Sequence, residues 1–114
     1  MTTPMATRRN SILFVCNGNT CRSPMAEAIA KDSEGADIIH IESAGLHANP
    51  GDPAAPDAIE TMRRRGMGLT AHRSRHISKV DLSRFDIVVA MSPQVGKELQ
   101  ELLPPGERRR RLSF

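Results

Sequence analysis

A chain of 114 residues makes one domain, long enough to bury about two thirds of the surface its unfolded form exposes. Lys and Arg number 16 against 13 Asp and Glu, a net charge of +3, and no stretch approaches the roughly 18 apolar residues of a membrane-spanning helix. With three Phe and no Trp or Tyr, platforms for stacking single-stranded nucleic acid are scarce. The clusters Arg63 to Arg65 and Arg108 to Arg111 are therefore read as solvated charge favouring acidic or phosphorylated partners, not as a nucleic-acid surface.

Residues 1–10 are polar, carry Arg8 and Arg9 and lack the apolar segment of a signal peptide. They read as the flexible N-terminus of a cytoplasmic protein, ahead of one domain at 11–114. Ser11 to Cys16 is nearly all apolar, which predicts a central strand covered on both faces. Ser23 and Pro24 predict the N-cap and first turn of a helix ending near Gly35. Ile39 and Ile41 alternate with His40 and Glu42, as in a strand with one face less buried. After the loop Asn49 to Pro53, Pro56 to Arg65 reads as a helix closed by Gly66. Ser78 to Asp81 reads as a short N-capped helix and Ile87 to Met91 as a buried strand. Ser92 and Pro93 start a helix that Pro104 and Pro105 stop, and Arg111 to Phe114 begins a fourth strand. This alternation predicts an α/β three-layer sandwich around a four-stranded parallel sheet, flavodoxin- or Rossmann-like, with right-handed crossovers. Active sites in such sheets lie at the carboxyl ends of the strands.

The end of the first strand carries the chemistry. Cys16-Asn17-Gly18-Asn19-Thr20-Cys21-Arg22-Ser23 places a tight Gly/Asn turn between a strand and a helix start. Backbone N–H groups gathered there, backed by a helix N-terminus, suit a phosphate-like anion. Cys16 faces that point, and Arg22 returns to it with a planar fork of donors. A thiol in such surroundings is expected to ionise near or below neutral pH and to attack phosphorus, giving a phosphocysteine. Asn19 occupies a turn position suited to positive φ. His40, His47 and His76 read as structural or surface residues. No spacing suggests a metal, and no cofactor is expected.

The run from Val15 to Pro24 closely resembles the active-site loop of the low-molecular-weight protein-tyrosine phosphatases. The resemblance continues through Ser43-Ala44-Gly45, Thr70 to Arg75 and Asp86 to Met91, and covers nearly all of residues 11–114. It implies that Cys16 is the nucleophile and that Arg22 binds phosphate. It further implies that Ser23 lowers the pKa of the thiol by donating a hydrogen bond, and that Asn19 holds a strained turn braced by Ser43 and His72. Cys21 would protect Cys16 through a reversible disulfide. Asn17, Gly18 and Thr20 complete the phosphate-binding loop.

Two departures qualify the expected activity. The family continues past its fourth strand into a loop whose Asp-Pro supplies the general acid and then into a final helix, whereas this sequence stops at Phe114. The chain is thus expected to be a fragment, a protein completed by a partner, or a degraded relative. Its uncovered sheet face would suit a second copy of the chain. Asp52-Pro53 is the one Asp-Pro pair present, so Asp52 is the surrogate acid on offer. Secondly, Thr20 resembles the loop of bacterial protein-arginine phosphatases. The reading is a protein phosphatase acting on phosphomonoesters, phosphotyrosine above all. Arginine phosphatase, arsenate reductase and a non-catalytic oxyanion-binding module are the alternatives.

Overall fold

The computed structural model describes residues 10–33, 35–103 and 112–113. Four parallel strands lie in the order β2-β1-β3-β4: β1 (Asn10–Cys16), β2 (Ile39–Gly45), β3 (Ile87–Ala90) and β4 (Leu112–Ser113). Three of them form the body of the sheet. The expected fourth strand is reduced to a two-residue pairing of Val88 with Leu112 and Val89 with Ser113. The helices are α1 (Arg22–Lys31), α2 (Pro56–Arg64) and α3 (Pro93–Leu102), with three 3₁₀ turns at Ala36–Ile38, Ile77–Lys79 and Leu82–Arg84.

The apolar run at 11–16 becomes the central strand because it can be covered on both faces. Register pairs Leu13 with Val88 and Val15 with both Ala44 and Ala90. Those five side chains share one face and join Ile77, Phe85, and Val95 and Leu99 of α3 in a single buried core. The opposite face carries Ile12 and Phe14, paired with Ile87 and Val89. There α1 covers the β2 side, with Met25 and Ala28 packed on Ala58 and Met62 of α2. Ile12, Phe14 and Val89 on this face are half-buried, and Ile87 is 40% exposed.

Several local expectations are corrected. β1 begins at Asn10, one residue inside the segment read as a flexible N-terminus, and residues 1–9 lie outside the described ones. The first helix starts at Arg22, with Cys21 at its N-cap and no side-chain cap. Ser23 is inside that helix because its hydroxyl is used by the loop. The same helix ends at Lys31, short of Gly35, which instead takes φ +84 before a 3₁₀ turn. At 76–84 the cap is not Ser78: His76 and Asp81 each accept a backbone N–H, from Ser78 and Ser83, and two 3₁₀ turns replace one helix. Ser92 caps α3 as expected, accepting from Val95 N at 3.3 Å. Pro104, Pro105 and the arginines at 108–111 lie outside the described residues.

Candidate active site

The loop leaves the carboxyl end of the central strand and runs directly into α1. Its carbonyls are taken up from outside. Cys16 O accepts Leu46 N at 3.0 Å, Asn17 O accepts His47 N at 2.8 Å, and Thr20 O accepts Ala55 N at 2.7 Å. Asn19 O accepts the Nε2–H of His72 at 2.7 Å, and Cys21 O accepts Met25 N at 3.2 Å. A planar trans peptide points its N–H away from its C=O. The N–H groups of Gly18, Thr20, Cys21 and Arg22 are therefore turned away from those partners, toward the hollow of the loop. Such outward-tied carbonyls are how an anion nest is held open without a ligand.

Asn19 is the pivot. It is fully buried and takes φ +57, the left-handed region that Asn tolerates better than other side chains. Gly18, by contrast, has no positive φ, and an added Cβ there would meet only Thr20 Oγ1, at 3.6 Å. The side chain of Asn19 sets the direction of the hydrogen bonds it makes. The Arg75 N–H can only donate, and it donates to Asn19 Oδ1 at 2.8 Å. Asn19 Nδ2 then donates to both Ser43 Oγ and Ser23 Oγ at 2.9 Å. Ser43 passes its own hydrogen to the acceptor-only carboxylate of Glu27, 2.5 Å away. Ser23 Oγ lies 2.9 Å from Cys16 Sγ, so its hydroxyl hydrogen is free to donate to the sulfur whenever the sulfur is a thiolate. The thiol sulfur also receives Asn19 N–H at 3.2 Å. One buried network thus ends at the sulfur of Cys16, a residue only 7% exposed.

The sequence-derived candidates come together in part. Cys16, Asn19, Ser23, Ser43 and His72 form the network just described. Arg22 sits exposed at the rim, its Nη1 donating to Met91 O at 3.4 Å. With Asn17, Ser92, Gln94 and Glu98 it lines a cleft of about 240 Å³. Cys21 is exposed at the helix N-cap, and both cysteines are free thiols. Asp52 is occupied elsewhere: its Oδ1 accepts from Asn49 Nδ2 at 3.2 Å, and its backbone is pinned to Ser74. It is not among the residues lining the cleft at Arg22. His47 pairs with Glu98 at 3.1 Å. Among the described residues no three His, Cys, Asp or Glu side chains are grouped to hold a metal ion.

Three contributors escaped the sequence reading. Glu27 lies one helical turn beyond Ser23, on the same face of α1, and this i,i+4 spacing was the available signal. Gly45 ends β2 where a Cβ would sit 2.8 Å from both Asn17 O and Asn19 N. Only glycine lets the strand approach the loop this closely. Arg75 acts through its backbone, which no side-chain motif announces.

The model of the low molecular weight phosphotyrosine protein phosphatases matches residues 11–113, almost the whole described domain. The chain belongs to that family. The protein-arginine-phosphatase of Bacillus subtilis is 41% identical to it over 86 residues, covering 73% of this chain and 56% of that protein. Low molecular weight phosphotyrosine protein phosphatase 1 of Drosophila melanogaster is 37% identical over 101 residues, 85% of this chain and 64% of the fly protein. Among solved structures, Wzb of Vibrio vulnificus in complex with benzylphosphonate superposes with a TM-score of 0.79 at 28% identity, over 92% of this phosphatase-family chain and 73% of Wzb. The chain thus spans less than two thirds of the length of these two curated relatives.

Proposed function

We propose that this phosphatase-family chain hydrolyses protein phosphomonoesters, phosphotyrosine first among them, through a phosphocysteine on Cys16. The observation that carries the reading is the sulfur itself. It is buried at the base of the loop, it receives Asn19 N–H and has Ser23 Oγ at 2.9 Å, and Arg22 stands at the rim. A phosphoryl group entering the loop would place its nonbridging oxygens against the inward N–H groups and the Arg22 fork. Sγ attacks phosphorus, and the ester oxygen leaves with the P–O bonding pair. Water then cleaves the P–S bond and returns the thiolate. Within the described residues Asp52 is held by Asn49 and Ser74, so the proposal assigns it no proton transfer.

The test is acid-quenched mass spectrometry after mixing with an activated aryl phosphate. A phosphoryl adduct on the peptide bearing Cys16 is expected. Turnover without any such adduct overturns the covalent route, and neither adduct nor turnover leaves an oxyanion-binding module. Thr20 and the likeness to a protein-arginine-phosphatase favour one second reading, phosphoarginine hydrolysis. Matched phosphotyrosine and phosphoarginine peptides decide between them by kcat/KM.

A further inference from the structure

The side chain of Asn19 is held by partners from three directions, and two of them are anchored in regular structure: Ser23 in α1 and Ser43 in β2. The third, Arg75 N–H, comes from the stretch between α2 and the 3₁₀ turn at Ile77–Lys79, which holds no helix or strand. Its own carbonyl accepts Gly45 N at 2.9 Å, and a single bridge joins Gly45 to His76. The neighbouring Ser74 ties the segment to Asn49, Gly51 and Asp52, and keeping the Arg75 amide aimed at Asn19 Oδ1 calls for an anchor on β2 as well. The side chain of Arg75 supplies it, since Nη1 lies 2.5 Å from Glu42 Oε1 while the other oxygen of Glu42 meets His40 Nε2. Glu42 precedes Ser43 on β2, and successive strand residues point to opposite faces. β2 therefore grips the loop twice, from one face through Ser43 and from the other through Glu42 and Arg75.

We propose that Glu42 is a positioning residue for the oxyanion loop, acting through the Arg75 side chain to hold the Arg75 amide on Asn19. Its carboxylate lines a hollow of about 770 Å³ together with His40, Arg75, Lys79, Asp81 and Arg84. Burial works to raise the Glu42 carboxyl, but hydrogen bonds from His40 and Arg75 outweigh it and hold the group below the ordinary carboxylate range. The carboxylate is thus charged at neutral pH, as the clamp requires. Only the consequence for anion binding rests on the catalytic reading above; the clamp itself is a statement about the Arg75 amide.

The sign of the effect separates positioning from bulk electrostatics. Removing a carboxylate near an anion site should by charge alone tighten anion binding. Loss of a positioning residue should loosen it. Glu42→Gln and Glu42→Ala are compared with the parent for inorganic phosphate affinity by titration calorimetry, and for Arg75 amide hydrogen exchange by NMR, well below the melting temperature. Phosphate is expected to bind about fivefold more weakly in both variants, with faster exchange at Arg75. Arg75→Lys, which keeps the ion pair, should stay near the parent, whereas Arg75→Ala should match Glu42→Ala. Should Glu42→Ala fail to fold, the near-isosteric Gln variant decides. Phosphate affinity equal to or tighter than the parent's in the Glu42 variants, or unchanged Arg75 exchange, overturns the assignment. If the parent itself takes up no phosphate, the catalytic reading falls, and Arg75 exchange still decides the clamp.

Discussion

The two ends of β1 both carry polar clusters, half-buried at the start and buried at the far end, yet they are built to opposite purposes. At the start, Ser11 N donates to Asp86 Oδ2 at 2.9 Å, Ser11 Oγ donates to Arg84 O at 2.8 Å, and Asp86 N reaches back to Ser11 O at 3.0 Å. Donors and acceptors there are matched among themselves, and the cluster fastens the base of β3 to β1. At the far end the network around Asn19 is just as well bonded, but its bonds turn outward and leave N–H groups and a sulfur facing the hollow. A closed polar cluster stabilises a fold, while one that ends on a sulfur at the base of a loop prepares a site for an anion. The contrast has measurable consequences.

The largest effect is expected at Cys16. Cys16→Ser should lower aryl phosphate turnover about 10³-fold or more, since a hydroxyl is a far weaker nucleophile near neutral pH. Phosphate affinity by calorimetry should stay close to the parent's, and turnover at the parent's rate would remove Cys16 from the chemistry. Next come the two pivots. Asn19→Ala should cost about 3 kcal/mol in urea unfolding, because it strands several buried partners and leaves a poorer residue at φ +57. It should also abolish phosphate binding. Ser11→Ala should cost about 1–3 kcal/mol while leaving phosphate affinity alone. Equal damage to binding from the Ser11 change would erase the distinction between the two ends.

Gly45→Ala tests the same contrast at the edge of the loop. The new Cβ would have to displace backbone atoms at 2.8 Å, so phosphate affinity should fall several-fold with a smaller loss of stability. Calorimetry beside a thermal melt separates the two. The smallest effect is acid sensitivity. The native Glu42 carboxyl lies below its ordinary value of 4.5, so its stabilising contribution is complete above that value and is lost as pH falls through the lower native one. Between pH 6 and pH 3 the parent should therefore lose more unfolding free energy than Glu42→Gln, a difference of order 1 kcal/mol or less for a pair this exposed. Parallel pH profiles would show that the pair contributes nothing.

How much was legible beforehand depended on range. The strand at 11–16, the helices opened by Pro56 and Pro93, and the loop between Cys16 and Ser23 follow from composition and turn chemistry within a few residues. Asn19 was identifiable because few other side chains accept a left-handed turn. The start of α1 was misread because Ser23 is an excellent cap by local rules, and only the tertiary position of Cys16 and Asn19 draws its hydroxyl inward. The same holds at 76–84, where His76 and Asp81 cap in place of Ser78.

The sequence by itself marked Cys16 as the candidate nucleophile, the Gly/Asn loop that follows it and the alternating α/β plan, because these rest on residue chemistry at short spacing. Tertiary structure alone decided which groups hold the nest open. Ser43 braced by Glu27, Gly45 by its missing Cβ, and Arg75 through its amide all reach Asn19 from segments beyond α1. Hydrogen-bond direction and close approach are properties of assembled backbone, and no pattern along the chain encodes where two such segments will meet.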